Sequence, residues 1–235
     1  MHTRVWIGLI AASLLGAAGI VALAQPRAGH TGRMGFSAGA PAGGDAAHGR
    51  RLTDASCAAC HGSAGDNTNP QYPKLAGQTP AYFYKQLLDF KSGVRRSSVM
   101  QGFVTSLSQA DMADLAVYFS AQPTRPDRVP DKRLAAEGER IYRSPGPASP
   151  SCATCHGGTS YGGMGAGHMG GMGHMAMMRG MGPAPVLDGQ HAAYTVSQLD
   201  AFQSGAREST VMGRIAAALS SADKRAVAEY IAGRR

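Results

Sequence analysis

The amino-acid sequence predicts an all-α protein made of two tandem copies of one small domain. Three observations lead to this prediction. No stretch of the 235 residues alternates in polarity as a strand does, apolar residues recur at helical spacing, and the second half of the chain repeats the first. The length also suits two small domains better than one large one.

The internal repeat is the strongest support for the two-copy architecture. When residues 73–120 are shifted by 112 positions they align without gaps to residues 185–232, and 21 of the 48 pairs are identical. Unrelated segments of this length would share only a few residues. We therefore interpret the two halves as copies of one domain.

The N-terminal segment is typical of an export signal. Residues 1–4 form a short basic segment, and residues 5–24 are uncharged and mostly apolar. Ala22-Leu23-Ala24 fits a small-x-small cleavage site. These features predict a signal peptide over residues 1–24 and export of the rest. The alternative is an uncleaved membrane anchor, because about 20 apolar residues can span a bilayer.

Composition divides the remaining chain into segments. Residues 25–44 are rich in Gly, Ala and Pro, which predicts a flexible tether, and residues 45–121 form the first predicted domain. Residues 122–132 contain three prolines, which disfavour helix and stiffen a connection, so this stretch is the predicted linker. Residues 133–235 form the second predicted domain, which carries an insertion over residues 161–182.

The protein is mildly basic, with a formal net charge of +8. Its basic residues are scattered and form no stripe interleaved with aromatic residues, so we expect no nucleic-acid partner. A basic exported protein is suited to docking on an acidic protein surface.

Helical signals recur in both copies. Residues 45–54 and residues 134–143 are predicted helices that lead into the two cysteine motifs. After each motif, one helix is expected to end at a glycine, and a last helix to begin at a Ser-x-x-Asp capping box. The glycines are Gly93 and Gly205, and the capping pairs are Ser108 with Asp111 and Ser220 with Asp223.

The four cysteines lie in two C-x-x-C-H motifs. In an exported protein the cysteines alone would indicate two disulfides or a redox-active pair. The histidine after each pair favours covalent attachment of c-type haem instead. The predicted thioether anchors are Cys57, Cys60, Cys152 and Cys155, and the predicted axial ligands are His61 and His156. The predicted fold is thus two tandem cytochrome c-type domains, each wrapped around one covalent haem, with two haem c per chain.

The sixth iron ligand decides whether such a site is open to substrates or closed. A Met paired with His is typical of electron-transfer sites. Met100 aligns with Met212, and each lies eight residues before a capping serine, so these two are the predicted distal ligands. Met112 has a lysine at the same offset and is interpreted as a packing residue. We also expect the carbonyls of Pro73 and Pro185 to accept a hydrogen bond from the proximal histidines.

Several motifs resemble the cytochrome c4 family. They are Cys57-Ala-Ala-Cys-His-Gly, Tyr72-Pro-Lys-Leu-Ala-Gly-Gln78 and Tyr84-Lys-Gln-Leu-Leu-Asp-Phe-Lys-Ser-Gly93, then Cys152-Ala-Thr-Cys-His-Gly, Gly189-Gln-His-Ala-Ala-Tyr194 and Val211-Met212. The similarity covers about residues 45–235. It implies a periplasmic electron carrier of bacteria with His/Met ligation at each haem, rather than an enzyme with a small-molecule substrate. The implied partners are redox proteins such as a membrane-bound terminal oxidase or a cytochrome complex.

Two other functions remain open at this point. One is an electron-transfer subunit of a dehydrogenase, or a di-haem peroxidase, which needs an iron with a vacant or displaceable ligand. The other is a thiol or metal-handling protein in which the cysteines stay free. The matched methionines argue against the peroxidase.

The insertion over residues 161–182 departs from the resemblance, because family members usually have a short loop there. Glycine this dense favours disorder. Clustered thioethers and imidazoles also select soft Cu(I), which gives the alternative of a copper site. Its candidate ligands are Met164, His168, Met169, Met172, His174, Met175, Met177, Met178 and Met181.

Overall fold

The computed structural model describes residues 43–144, 151–157 and 183–235, all of which fall in one compact unit. The regular secondary structure of these residues is helical, and no strand occurs among them, as the sequence predicts. None of the helices in the described ranges is both long and apolar enough to cross a bilayer. The predicted signal peptide, nearly all of the predicted tether and the insertion over residues 161–182 lie outside the described residues.

The two halves repeat the same order of helices. The first half contains α1 (Ala46–Leu52), a π-helical turn (Thr53–Cys57), α2 (Ala58–His61), α3 (Pro80–Ser92), α4 (Ser98–Val104) and α5 (Gln109–Ser120). The second half contains α6 (Lys132–Arg143), α7 (Cys152–His156), α8 (Ala192–Ser204), α9 (Thr210–Ala217) and α10 (Ser221–Gly233). Helices α1 and α6 lead towards the cysteine motifs, as expected, and α6 begins two residues earlier than the sequence predicted.

The predicted helix ends are confirmed. Gly93 and Gly205 follow α3 and α8 with φ of +78° and +77°, a left-handed conformation that glycine adopts without strain. Helices α5 and α10 both begin with a complete capping box, in which the serine hydroxyl accepts from the aspartate N–H and the carboxylate accepts from the serine N–H.

Each half is closed by a helix crossing at a glycine. Helix α1 meets α5 at Gly49, where a Cβ atom would lie 2.2 Å from the carbonyl oxygen of Asp114. Helix α6 meets α10 at Gly138, where a Cβ atom would lie 1.9 Å from the carbonyl oxygen of Ala226. Only glycine allows the two backbones to come this close, so each crossing fixes the helix before a cysteine motif against the last helix of its half.

Each half contains an apolar cluster among the described residues. Side chains from α3, α4 and α5 form the one in the first half, and Met112 is fully buried in it, which confirms its interpretation as a packing residue. Its buried members are Phe83, Tyr84, Leu87, Phe90, Val104, Met112, Ala113, Leu115, Ala116 and Phe119. The buried members of the second cluster are Tyr142, Val227 and Ile231.

Lys224 stands where Met112 stands in the first half. It is only 2% exposed, and its Nζ donates to Asp200 Oδ1 at 2.7 Å and also to Gln203 Oε1. Asp200 in turn replaces Leu88, which packs against the same apolar cluster as Met112. The second half has therefore exchanged a pair of apolar side chains for an ion pair.

Candidate functional site

The four cysteines are all free thiols placed on or next to two short helices. Cys57 ends the π-helical turn before α2, which contains Cys60, and α7 contains both Cys152 and Cys155. Burial raises the pKa of Cys57, Cys152 and Cys155 above the ordinary thiol value. A redox-active C-x-x-C pair needs a lowered thiol pKa, so this environment does not favour thiol–disulfide chemistry.

The two motif histidines sit in equivalent buried positions. His61 and His156 are 8% and 9% exposed. The Nδ1 of His61 lies 2.9 Å from the carbonyl oxygen of Pro73, and the Nδ1 of His156 lies 2.9 Å from that of Pro185. Both predicted proline contacts are thereby confirmed. Because a carbonyl can only accept, Nδ1 carries the proton, and Nε2 keeps its lone pair for a metal.

Burial also controls the charge of these rings. Desolvation lowers the pKa of both His61 and His156, and the hydrogen bonds to the proline carbonyls oppose this in part. The neutral imidazole is the form that binds iron. Each half therefore offers two free thiols and, directly after the second, an oriented neutral imidazole. This donor set fits haem c, with the sulfurs as covalent anchors and the histidine as one axial ligand.

The predicted distal ligands also occupy equivalent positions. Met100 and Met212 are the third residues of α4 and α9, and each backbone N–H donates to a serine hydroxyl, Ser97 or Ser209, at 3.2 Å. Both lie in the capped first turn of a short helix, an element that was not predicted from the sequence. Met100 and Cys57 both pack against the apolar cluster of the first half.

Polar side chains connect the two halves in a way that the sequence analysis missed. Arg95 donates from Nη1 to Gln86 Oε1 at 2.6 Å within its own half. Its Nη2 donates across the interface to the Tyr194 hydroxyl and to Gln198 Oε1, both at 2.8 Å. The guanidinium also lies 4.6 Å from the centre of the Phe90 ring.

The same contacts recur from the other side. Arg207 donates to Gln198 Oε1 at 2.7 Å, to the Tyr82 hydroxyl at 2.8 Å and to Gln86 Oε1 at 2.9 Å. Every one of these residues is related to its counterpart by the 112-residue offset. The sequence did contain a signal for these contacts, because the same polar residues occur at equivalent positions of both copies. These polar side chains lie outside the apolar cores, and they meet each other at a pseudo-twofold interface.

Two glutamines extend this interface to the backbone. Gln78 donates to the carbonyl of Val186 at 3.0 Å and accepts from its N–H at 2.9 Å. Gln190 makes the same pair of bonds with Lys74, at 3.0 and 2.9 Å. Each glutamine thus holds the residue that follows the proline carbonyl of the opposite histidine site.

One group of contacts breaks the symmetry. His191, which is 3% exposed, has Nδ1 2.6 Å from Asp127 Oδ2 and Nε2 3.0 Å from the carbonyl oxygen of Asn67. Asp127 belongs to the predicted linker and also pairs with Lys74 Nζ. Lys74 Nζ donates to the carbonyl of Arg125 as well, at 2.7 Å. The linker is therefore held against both halves by hydrogen bonds.

A separate cluster of ionisable residues lies at the start of α1. His48 Nδ1 is 2.8 Å from Asp114 Oδ2 and 3.8 Å from Asp111 Oδ1. Asp111 is already engaged in its capping box, and Asp114 accepts the N–H of Asp45. These contacts account for the cluster as helix-end structure. The predicted copper ligands between Met164 and Met181 lie outside the described residues.

The chain is similar to several known proteins. The family model described as cytochrome C oxidase, cbb3-type, subunit III matches residues 44–119. Cytochrome c4 of Pseudomonas aeruginosa is 38% identical over 206 residues, covering 85% of this chain and 94% of that protein. A thiosulfate dehydrogenase electron acceptor of Thiomonas intermedia is 35% identical over 186 residues, covering 76% of this chain and 78% of that protein. The crystal structure of reduced recombinant cytochrome c4 from Pseudomonas stutzeri superposes with a TM-score of 0.67 at 35% identity, covering 82% of this chain and 100% of that one.

Proposed function

Since the chain belongs to the cytochrome c4 family of di-haem electron carriers, we propose that it carries electrons in the periplasm from a respiratory donor to a membrane-bound terminal oxidase. The observation that carries this proposal is the pair of matched sites. Each half presents two free thiols, a buried neutral histidine and a methionine at the same helix position. Nothing in this pattern requires a substrate pocket or a catalytic base.

Bound haem c supplies an iron that alternates between the ferric and ferrous states by one electron. The chain's own residues decide what else that iron meets. Cys57, Cys60, Cys152 and Cys155 are the proposed covalent anchors, and His61 and His156 the proposed proximal ligands. The Pro73 and Pro185 carbonyls hold each imidazole in one tautomer and one orientation.

Met100 and Met212 are the proposed distal ligands. With haem bound, a thioether as the second protein ligand would favour the reduced iron, which raises the reduction potential. Both methionines stand on a capped helical turn, and the serine caps restrain the backbone that would present the thioether to the metal. A site closed in this way would exchange electrons and exclude oxygen and peroxide.

Exposed apolar side chains of the first half support docking of a protein partner there. Val94, Val99 and Phe103 are 60%, 58% and 47% exposed, and two of them lie on α4, the helix that carries Met100. Exposed apolar side chains clustered near a functional group are typical of interaction sites. The positive net charge of the chain favours an acidic partner.

Oxidation of the reduced protein by respiratory membranes tests this proposal. Membranes that contain a terminal oxidase should oxidise the full-length holoprotein in air, and cyanide should stop the reaction. Phe103→Asp should slow it, whereas Ala222→Asp, which adds the same charge to an exposed position of the second half, should not. The proposal fails if ferricyanide oxidises the protein but the membranes do not.

A second candidate is the electron acceptor of a dehydrogenase. The specific support is the relative from Thiomonas intermedia, whose name describes that role. Under this alternative, thiosulfate and a thiosulfate dehydrogenase would reduce the protein faster than the respiratory donors do. A di-haem peroxidase would instead turn over hydrogen peroxide, which two methionine-closed irons should not.

A further inference from the structure

The carbonyl that orients the first proximal histidine is shared with a second donor. Pro73 O accepts from His61 Nδ1 at 2.9 Å and also from Asn67 Nδ2 at 3.2 Å. Asn67 Nδ2 lies 3.4 Å from the carbonyl oxygen of Tyr72 as well. The side-chain amide therefore faces two adjacent backbone carbonyls, which only its nitrogen can satisfy.

Asn67 is held in this position from two further directions. Its backbone N–H donates to the carbonyl oxygen of His61 at 3.2 Å, so the same residue contacts both the backbone of His61 and the acceptor of its ring. Its own carbonyl oxygen lies 3.0 Å from Nε2 of His191, which comes from the second half. The position of the amide is thus fixed from both halves of the molecule.

The amide orientation also has a cost. Asn67 Oδ1 is the one buried side-chain nitrogen or oxygen atom in the described part of the chain without a hydrogen-bond partner. A buried polar atom without a partner destabilises a fold by about 1–3 kcal/mol in general, so native proteins rarely keep one without a reason. Here the unsatisfied oxygen accompanies the placement of Nδ2 on the Pro73 carbonyl.

The second half does not reproduce this arrangement among the described residues. There Pro185 O accepts from His156 Nδ1 at the same 2.9 Å, and no second donor to it occurs in the described ranges. The carbonyl of His156 is bound instead by the hydroxyl of Tyr142, at 2.7 Å. The two proximal histidines thus have the same distance to their acceptor, and within the described ranges only the Pro73 carbonyl has a second donor.

We propose that Asn67 is a positioning residue that raises the reduction potential of the first haem relative to a site without it, by competing with His61 for the Pro73 carbonyl. A strongly hydrogen-bonded Nδ1–H makes the imidazole a more basic ligand, which stabilises the ferric iron. A second donor to the same oxygen withdraws electron density from it and weakens the bond from His61. The histidine then donates less to the iron, and the ferrous state is favoured.

The expected size follows from the strength of one neutral hydrogen bond. Partial loss of such a bond changes an equilibrium by about threefold. Removal of Asn67 Nδ2 should therefore lower the reduced-to-oxidised ratio of the first haem about threefold at a fixed ambient potential. This corresponds to about 28 mV, because a tenfold change is 59 mV for one electron.

Potentiometric titration of the full-length holoprotein, followed by NMR at haem methyl resonances that separate the two haems, tests the proposal. Asn67→Ala and Asn67→Leu both remove the donor but keep the backbone contacts to His61 and His191, and Leu also retains the volume. Both variants should lower the first potential, leave the second unchanged and move the His61 Nδ1 proton downfield. Asn69→Ala is the matched control, because Asn69 is an exposed amide in the same loop that contacts Gln71 instead.

Any other pattern overturns the proposal: no shift or an upward shift of the first potential, an equal shift of both potentials, or an equal effect of Asn69→Ala. The inference rests on the proposed haem sites, and the experiment separates the two. Two one-electron steps with an unmoved first potential would contradict the role of Asn67 alone. Absence of two such steps in the wild-type protein would contradict the proposed function itself.

Discussion

A single buried lysine distinguishes the second half of the molecule from the first. Lys224 stands where the first half has Met112; its side chain is buried, and its Nζ is paired with the exposed carboxylate of Asp200. A buried ion pair is weak support for stability, since desolvation of both charges offsets their attraction, but loss of one partner is costly. The first half shows which substitutions to test, because Leu88 and Met112 occupy the positions that correspond to Asp200 and Lys224.

Restoring the first-half residues should therefore be tolerated only when both are changed. Asp200→Leu alone should lower the free energy of unfolding by roughly 2 kcal/mol, since Lys224 loses its charged partner. The effect is smaller than for a fully buried pair because the Asp200 side chain is 58% exposed. Asp200→Leu with Lys224→Met should return to within about 1 kcal/mol of the wild type. Denaturant unfolding measures this, and a double variant as unstable as the single one would contradict it.

At the scale of the elements, the helix crossing at a glycine fixes each half. The first half contains a matched pair of helical glycines. Gly49 touches the backbone of α5, whereas a methyl group added at Gly102 on α4 would have no neighbouring atom within 4 Å. A side chain at Gly49 should therefore destabilise the crossing of α1 and α5, whereas a side chain at Gly102 should stabilise the exposed helix α4.

Gly49→Ala should therefore destabilise the protein, by about 1–3 kcal/mol or more, because the α1 and α5 backbones must separate. Gly102→Ala should instead stabilise it by up to about 1 kcal/mol, since alanine loses less backbone entropy in a helix. Thermal unfolding of both variants makes the comparison. Equal effects of the two substitutions would mean that the crossing does not depend on close backbone contact.

The methionine-rich stretch between residues 161 and 182 belongs to the same scale and remains a prediction from sequence alone. If its thioethers and imidazoles bind Cu(I), isothermal titration should detect uptake that a variant lacking residues 161–182 has lost. Equal uptake by both proteins would exclude a copper site in this segment.

Much of the element structure follows from sequence, and the reasons are local. Gly93, Gly205 and the two capping boxes were predictable because helix ends depend on backbone conformation and on hydrogen bonds within four residues. The short helices that contain Met100 and Met212 were not predicted, because seven or eight residues are too few to show the helical periodicity of polar and apolar positions. Gly49 and Gly138 were not recognised, because a close crossing depends on residues that are distant in sequence.

At the scale of the whole molecule, the two repeats contact each other through a polar interface. Arg95 and Arg207 share Gln86 and Gln198 as acceptors, so four side chains form one network across the pseudo-twofold axis. The sequence showed that these residues are the same in both copies, but it did not show which residues they contact. Contacts between two repeats join distant segments and produce no regular spacing in the sequence. In the described ranges, His191 and Asn67 have no repeated counterpart in their roles, and no sequence signal pointed to them.

The shared acceptors predict that the two arginines are not independent. Arg95→Ala and Arg207→Ala should each destabilise the folded holoprotein, and the double variant should lose less than the sum, with a coupling of about 0.5–3 kcal/mol. Arg214→Ala is the control, because Arg214 is exposed and its side-chain hydrogen bond in the described part of the chain is to Thr210 O, in the first turn of its own helix. It should change the free energy of unfolding by no more than about 0.5 kcal/mol. Strict additivity of the two arginine substitutions would show that the network is not shared.

Carbon monoxide binding to the fully reduced holoprotein tests the central claim most directly, which is that the chain holds two equivalent haem sites, each closed by a methionine. The wild type should bind none, Met100→Ala and Met212→Ala should each bind one equivalent, and the double variant should bind two. Met112→Leu, a change at a buried methionine outside the proposed ligand set, should bind none. Carbon monoxide binding by the wild type, or its absence from either methionine-to-alanine variant, would contradict the account.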